Sequence, residues 1–312
     1  MHHEPVMVDE VLSLLEPRPG GLYCDATAGA GGHAKAVLEA SAPDGRLLAV
    51  DRDPKAVAFC REKLAGYGDR ASVVHSTFAA LREQLKESDF GPLDGLVLDL
   101  GVSSAQLDDG ARGFSFQAEG PVDMRMNPTE GESAVELLER VDEKELASIL
   151  ASLGEERHSK RVAREILRAL EAHELASTHD LARAIRRGVG AARSGSIDAA
   201  TRSFQALRIA VNDEIGQLRA VIAALPELLA EGGRVAIISF HSIEDRTVKH
   251  GLRHWSGCRC DTHAPACTCG GPLMRVLTRK PVRPSEAEIA RNHRARSARL
   301  RGAERLALLE AA

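Results

Sequence analysis

The chain has 312 residues, of which 44% are hydrophobic, 28% are charged and only 3% are aromatic, and its formal net charge is −4. This composition excludes a disordered or collagen-like chain and predicts a globular protein with an aliphatic core and about two domains. No apolar run approaches the ~18 residues of a membrane span, and the acidic N-terminus lacks the basic and apolar regions of a signal peptide, so we expect a cytoplasmic protein.

The first hundred residues alternate between strand and helix patterns. The strand segments are apolar on both faces, which is typical of a parallel sheet covered by helices. In chain order, the predicted strands are 22–29, 46–53, 71–77 and 92–101, and the predicted helices are 34–40, 55–64 and 79–85.

A helical pattern interrupts this alternation. From Ser133 to about Leu225 the apolar residues follow a helical period, and those from Phe204 to Ile222 predict one long helix. Strand patterns return at 232–242 and 273–282. We therefore predict an α/β domain formed by residues 1–107 and 226–312, with an all-helical inserted domain at 108–225.

Three aspartates and a glycine-rich turn are the first candidate site. The segment D-A-T-A-G-A-G-G-H follows the first strand at residues 25–33, while Asp51 and Asp99 close the second and fourth strands. Ligands bind at the carboxyl edge of open α/β sheets, where these residues are expected to meet. Glycines allow the backbone to approach such a ligand closely.

Two cofactor classes fit this pattern. Gly29, Gly31 and Ala34 satisfy the dinucleotide fingerprint together with Asp51, which suits a nicotinamide-dependent oxidoreductase. S-adenosylmethionine needs the same turn and ribose acid, and Asp25 supplies a carboxylate for its ammonium group. A carboxylate there would repel a pyrophosphate, so Asp25 favours S-adenosylmethionine.

A second candidate region follows the fourth strand. The segment D-L-G-V-S-S-A-Q-L-D at 99–108 continues into R-G-F-S-F at 112–116 and D-M-R-M at 123–126. A glycine- and serine-containing loop with paired aromatic residues and charges suits the rim of an active site.

These segments together resemble one known family, the bacterial 16S ribosomal RNA cytidine N4-methyltransferases (RsmH, formerly MraW). The resemblance covers nearly the whole chain. Besides the segments above, it rests on H-x-P-V-M (3–7), V-D-R-D-P (50–54), P-V-D-M-R-M (121–126), G-E-E-R (154–157), F-Q-A-L-R-I-A-V-N-D-E (204–214), S-F-H-S-I-E-D-R (239–246), T-R-K-P (278–281) and R-A-R-S-A (294–298).

The resemblance implies a class I Rossmann-like methyltransferase sheet, S-adenosylmethionine as cofactor, and a cytidine near the decoding site of the small ribosomal subunit as substrate. The cofactor contacts that it implies, with Asp25 added, are Asp25, Gly31, Gly32, His33, Asp51, Phe78, Asp99 and Gln106. The expected substrate contacts are Phe114, Phe116, Arg125, Asn212 and His241.

The chemistry of the substrate suggests roles for several of these residues. The cytosine amine is a poor nucleophile, so an acceptor for one of its protons would localise its lone pair. We expect Asp99 or a backbone carbonyl of its turn to be that acceptor, with Ser103 and Ser104 as further base contacts. Phe114 or Phe116 is expected to stack on a base flipped out of the RNA.

Four of the six cysteines crowd into one short segment, as C-R-C followed by C-T-C. Four thiols in one loop suit a structural zinc ion, although C-x-C is tighter than the usual C-x2-C pair. Reduced thiols without metal and a disulfide or redox role stay open as alternatives. The candidate ligands are Cys258, Cys260, Cys267 and Cys269.

The charge is distributed unevenly. Residues 275–305 hold ten Lys or Arg and three Glu, a net +7, which leaves −11 for the rest. This basic tail and a stripe of Arg and Lys between 157 and 168 are predicted to bind RNA, and a homodimer is compatible with the sequence. A non-enzymatic RNA-binding module of ribosome assembly remains the alternative to an enzyme.

Overall fold

The chain forms two compact units in a computed structural model that describes residues 5–88, 90–190, 198–258, 260, 269 and 271–307. The α/β unit comprises Met1–Gly101 and Ile215–Ala312, and the helical unit comprises Val102–Glu214. The two boundaries predicted from the sequence, after residues 107 and 225, lie farther along the chain than the observed boundaries after residues 101 and 214.

One seven-stranded sheet organises the α/β unit, in the order β3-β2-β1-β4-β5-β7-β6. Strands β1 to β5 pair in parallel, whereas β7 runs antiparallel to both of its neighbours. The strands are β1 (Leu22–Asp25), β2 (Arg46–Asp51), β3 (Ala71–His75), β4 (Leu93–Asp99), β5 (Leu229–Ser239), β6 (Met274–Val276) and β7 (Arg299–Arg305). This architecture confirms the predicted Rossmann-like α/β fold.

Helices occupy most of the remaining described chain. In chain order they are α1 (Val8–Leu15), α2 (Gly32–Ala40), α3 (Pro54–Leu64), α4 (Leu81–Glu87), α5 (Ser104–Asp108), α6 (Ala134–Arg140), α7 (Glu143–Gly154), α8 (Ser159–Glu171), α9 (Thr178–Val189), α10 (Thr201–Asn212), α11 (Glu214–Leu228), α12 (Ser242–Trp255) and α13 (Glu286–Arg291).

The sheet is apolar on both faces because successive strand residues point to opposite sides. In β2, Leu48 and Val50 join one core with residues of α4, α11 and α12. Leu47 and Ala49 join the other core with residues of α1, α2 and α3. The continuous apolar strands in the sequence therefore correspond to a sheet that is covered on both sides.

The strand β7 was not predicted, because it lies within the basic tail. Arg301 is only 6% exposed there, since its guanidinium pairs with the carboxylate of Asp245 at 2.7 Å. Arg299 pairs with the same carboxylate, and Arg275 pairs with Glu304. Part of the positive charge predicted to bind RNA thus forms ion pairs within the α/β unit.

The helical unit has a core of its own, formed by apolar residues of α6 to α10. Two of its helices, α6 and α9, begin with capping boxes, which Ser133 and Ser177 form with Glu136 and Asp180. Two of the predicted RNA-binding arginines of α8 already pair with acids, Arg164 with Glu143 and Arg168 with Glu165.

The long helix predicted from Phe204 to Ile222 is wrong. Asp213 adopts a left-handed conformation with φ of 46° and ends α10, and α11 begins at Glu214. The apolar pattern continues across this break because α10 and α11 each bury one face, so the period alone does not reveal it. Within the described ranges, no helix has the length and apolarity needed to cross a membrane.

Candidate active site at the carboxyl edge of the sheet

The turn between β1 and α2 is tied to the two neighbouring strands. The Thr27 hydroxyl accepts a hydrogen bond from the backbone N–H of Asp99 at 2.6 Å, and the N–H of Gly29 donates to Asp51 Oδ2 at 2.7 Å. Gly31 has φ of 70°, and a Cβ there would lie 3.2 Å from Cys60 Sγ. Glycine is therefore required where this turn enters α2.

Asp25 and Asp99 each carry a buried carboxylate oxygen that has no hydrogen-bond partner among the described residues, namely Asp25 Oδ2 and Asp99 Oδ1. Burial raises the pKa of Asp25, and it raises the pKa of Asp99 to about 6. An unpartnered buried carboxylate costs free energy. Both groups are thus arranged to accept hydrogen bonds from a ligand that brings N–H or O–H donors.

Asp51 differs from these two aspartates in having partners for both oxygens. Its Oδ1 accepts from the N–H of Asp53 at 2.8 Å, and its Oδ2 accepts from Gly29. Burial outweighs these bonds and raises the pKa of Asp51 to about 6. Because a carboxylate has about four lone-pair positions, two remain for the hydroxyls of a ribose.

His33 connects α2 to Asp99. Its Nε2 lies 2.8 Å from the carbonyl oxygen of Val6, which can only accept, so Nε2 carries a proton. Its Nδ1 lies 3.8 Å from Asp99 Oδ2. The imidazole is buried and fixed, and it is the polar group facing Asp99 from α2.

Two further predicted residues of the α/β unit follow strands at the same edge. Phe78 begins a 3₁₀ turn three residues after β3 and is half-buried. His241 follows β5 and caps α12: its Nδ1 accepts from the N–H of Glu244 at 3.4 Å. The structure thus brings the predicted α/β-unit residues to the edge where β1 to β5 end.

Sequence reasoning missed two residues that shape this edge. Thr27 holds the backbone of Asp99, and Glu244 is 2% exposed and accepts from the N–H of Phe240 at 2.8 Å. Both residues lie within segments that carry the family resemblance. In the sequence, each of the two is only a polar residue among apolar or turn-forming neighbours. That pattern does not show which group the side chain will bind.

In the helical unit, several predicted site residues have structural partners. Ser103 and Gln106 form the capping box of α5: Gln106 Oε1 accepts from the N–H of Ser103 at 2.9 Å, and Ser103 Oγ accepts from that of Gln106 at 3.2 Å. Ser104 is the first residue of α5 and is half-buried. Arg125 grips the carboxylate of Asp123 with two hydrogen bonds, at 2.9 and 2.7 Å.

Two residues predicted to contact the substrate are buried in the helical unit. Phe114 is 6% exposed within the core of the helical unit, so its ring is not available to stack on a base, whereas Phe116 is half-buried beside Phe204. Asn212 is 2% exposed; its amide accepts from the N–H of Met126 and donates to the carbonyl oxygen of Met124. Asn212 therefore holds the 124–126 loop instead of reaching a substrate.

The arrangement of the α/β-unit residues fits S-adenosylmethionine. Its ammonium and ribose hydroxyls supply the donors that the buried carboxylates lack, whereas a pyrophosphate offers acceptors only. The glycine turn lets the backbone approach the ligand closely. A nicotinamide dinucleotide would place its phosphates near Asp25, where the carboxylate repels them.

A family model and curated relatives point to one family. A family model described as the MraW methylase family matches residues 1–306. A relative named ribosomal RNA small subunit methyltransferase H from Geotalea uraniireducens is 49% identical over 311 residues, covering 98% of this chain and 99% of the relative. One of the same name from Citrifermentans bemidjiense is 47% identical over 308 residues, covering 98% and 99%. Among solved structures, a SAM-dependent O-methyltransferase from Thermotoga maritima aligns over 99% of this chain and 69% of that one, at 10% identity and a TM-score of 0.45.

Proposed function

Because the chain belongs to the MraW methylase family, we propose that it methylates the N4 amine of a cytidine near the decoding centre of 16S ribosomal RNA. The coarser activity, S-adenosylmethionine-dependent methylation of ribosomal RNA, is that of the family's small-subunit methyltransferases. The observation that carries the proposal is the pair of unpartnered carboxylate oxygens, on Asp25 and Asp99, beside the glycine turn.

Each cofactor-binding residue has a role in this proposal. Asp25 accepts from the methionine ammonium, Asp51 accepts from the ribose hydroxyls, and Phe78 flanks the adenine. Gly31, Gly32 and His33 contact the cofactor through the glycine turn and the start of α2. Asp99 and Gln106 supply the remaining contacts.

The reaction needs positioning and one proton acceptor. The cofactor supplies an electrophilic methyl group on a sulfonium. With that cofactor bound, the amine nitrogen would take the methyl group while the electrons of the carbon–sulfur bond stay with sulfur, and the nitrogen would then lose a proton. Asp99 accepts a hydrogen bond from the amine, and with a pKa of about 6 it is ionised at pH 7.5. Water or Asp99 takes the proton once the nitrogen has been alkylated.

The remaining substrate residues have less direct roles. Phe116, the more exposed of the two predicted stacking rings, stacks on the flipped cytosine, and Ser103 and Ser104 contact the base. Arg125 and His241 contact the RNA around it. This division leaves Phe114 and Asn212 to maintain the helical unit.

The decisive test is methyl transfer from labelled S-adenosylmethionine to small subunits that lack the modification, followed by nucleoside analysis. We expect N4-methylcytidine at one position, and no incorporation into subunits that already carry it. Incorporation into another base or at the ring carbon would overturn the substrate assignment.

The same assay tests the role of Asp99. Asp99→Asn should lower turnover at saturating cofactor by roughly 10²-fold or more, as expected for loss of an acid–base group. Normal turnover with weaker cofactor binding would reduce Asp99 to a cofactor contact. Hydride transfer to a nicotinamide dinucleotide, or cofactor binding without any transfer to subunits, assembly intermediates or naked RNA, would favour the two alternatives.

We add two further expectations, on location and on oligomeric state. The proposed substrate places the protein in the cytoplasm, where small subunits are assembled, and the homodimer remains a prediction that sedimentation analysis tests. Zinc is a separate proposal, because the four cysteines follow α12 and lie outside the segments that form the strand ends.

A further inference from the structure

Three cysteine sulfurs of the α/β unit converge where α12 ends. Cys258 and Cys260 follow α12, and Cys269 precedes β6. One Sγ atom from each of the three lies within 4.8 Å of the other two, and the sulfurs of Cys258 and Cys269 are 3.7 Å apart. The fourth cysteine of the segment, Cys267, lies outside the described residues.

We propose that this cluster binds one structural Zn²⁺ ion through the thiolates of Cys258, Cys260 and Cys269. Zinc binds thiolates at ~2.3 Å in a tetrahedron, whose sulfur–sulfur edge is then ~3.8 Å. The separation of Cys258 and Cys269 matches that edge and is far longer than the ~2 Å of a disulfide bond. The geometry is that of a metal-binding cluster.

The chemistry of the ligands favours the same occupant, because a cation among the three sulfurs would stabilise their thiolate forms against mutual repulsion. Zinc is the soft divalent ion that sulfur ligands hold tightly, whereas Mg²⁺ and Ca²⁺ prefer oxygen.

The position of the cluster assigns it a structural role. The helix α12 begins at His241, beside the carboxyl edge of the sheet, and its 14 residues span ~21 Å. The cysteines follow its opposite end, far from Asp25 and Asp99. There the backbone N–H of Leu273 donates to the carbonyl oxygen of Trp255 at 2.9 Å, so the segments on either side of the cysteines already approach each other. A zinc ion would close that loop and hold the end of α12 against the start of β6.

The test is metal analysis of the full-length chain, purified with a reducing agent and without chelator. We expect close to one zinc per chain. Cys258→Ser and Cys269→Ser should each reduce this to less than a tenth. The matched control is Cys24→Ala, which removes a buried thiol of β1 and should retain the zinc.

A second measurement uses the wild-type chain, so that it does not depend on variants that fail to fold. Removal of zinc by a chelator should lower the unfolding temperature by several degrees, and Zn²⁺ but not Mg²⁺ should restore it. Cobalt substituted at the site should give the visible absorption of a tetrahedral thiolate complex. Less than a tenth of an equivalent of zinc, even after incubation with Zn²⁺ and removal of the excess, would overturn the proposal, as would an intact mass showing a disulfide. Neither result would affect the methyl-transfer proposal, which involves no zinc.

Discussion

The two units use polar side chains in opposite ways. At the sheet edge of the α/β unit, Asp25 and Asp99 keep buried carboxylate oxygens without partners among the described residues. In the helical unit, the amide of Asn212 hydrogen-bonds to the backbone of Met124, Met126 and Arg208. Polar residues within the segments that carry the family resemblance thus have two different roles. Some are arranged to bind a ligand, and others maintain the shape of the protein.

The largest expected effect is on the helical unit, from Asn212→Ala. This change leaves the buried N–H of Met126 and the carbonyl oxygen of Met124 without their partner, at about 1–3 kcal/mol for each group. We expect a loss of about 2–5 kcal/mol in the free energy of unfolding, measured by urea denaturation. Gln205→Ala on the same helix, which removes one 3.4 Å hydrogen bond, is the control and should cost less than 1 kcal/mol. A small effect of Asn212→Ala would mean that its role is contact with the substrate after all.

The next largest effect is on cofactor affinity, from Asp51→Ala. Loss of two charge-assisted hydrogen bonds to a ribose should weaken S-adenosylmethionine binding roughly 100-fold, which calorimetry can measure. Glu62→Ala, an exposed acid of α3, is the matched control and should leave the affinity unchanged. If Asp51→Ala binds S-adenosylmethionine with unchanged affinity, Asp51 does not bind the ribose hydroxyls.

A smaller effect is expected from Asp99→Asn, which should stabilise the cofactor-free protein, whereas Asn212→Ala should destabilise it. Its pKa of about 6 in the folded state exceeds the ordinary carboxyl value, so ionisation of Asp99 destabilises the cofactor-free fold above pH 6. The neutral amide should therefore raise the free energy of unfolding by about 1–3 kcal/mol at pH 8, and by nothing measurable near pH 4. Glu62→Gln is the exposed control. Destabilisation at pH 8 would show that the carboxylate has a partner within the fold.

The smallest effect is a pH dependence of wild-type kcat/KM for S-adenosylmethionine. Binding requires the carboxylate forms of Asp51 and Asp99, whose pKa values of about 6 mean that both become protonated as the pH falls. We expect kcat/KM to fall below pH 6, roughly 15-fold between pH 7.5 and pH 5.5, because both groups must be ionised. A profile that stays flat to pH 5 would show that the protonation of these two groups does not control binding.

The sequence predicted the parts of the molecule that depend on local patterns. Alternating apolar segments located β1 to β5, and the acids at strand ends located the candidate site. The residues whose burial the sequence did not reveal depend on partners that are distant along the chain. Arg301 is a buried strand residue because Asp245, 56 positions away, neutralises it, and Asn212 is buried because it meets a loop 86 positions earlier. A family resemblance identifies such residues as important without indicating whether they contact a ligand or the protein itself.

The position of the helical unit between β4 and β5 has a consequence for the order in which the chain can fold during synthesis. The strands β4 and β5 are neighbours in the sheet, yet the whole helical unit is synthesised between them. The helical unit has its own core and can form while the sheet still lacks β5. The inner strand β7 comes last, so β5 has its second neighbour only when residues 299–305 have emerged from the ribosome. A protein whose family methylates ribosomal RNA thus cannot complete its own sheet until residues 299–305 have been translated.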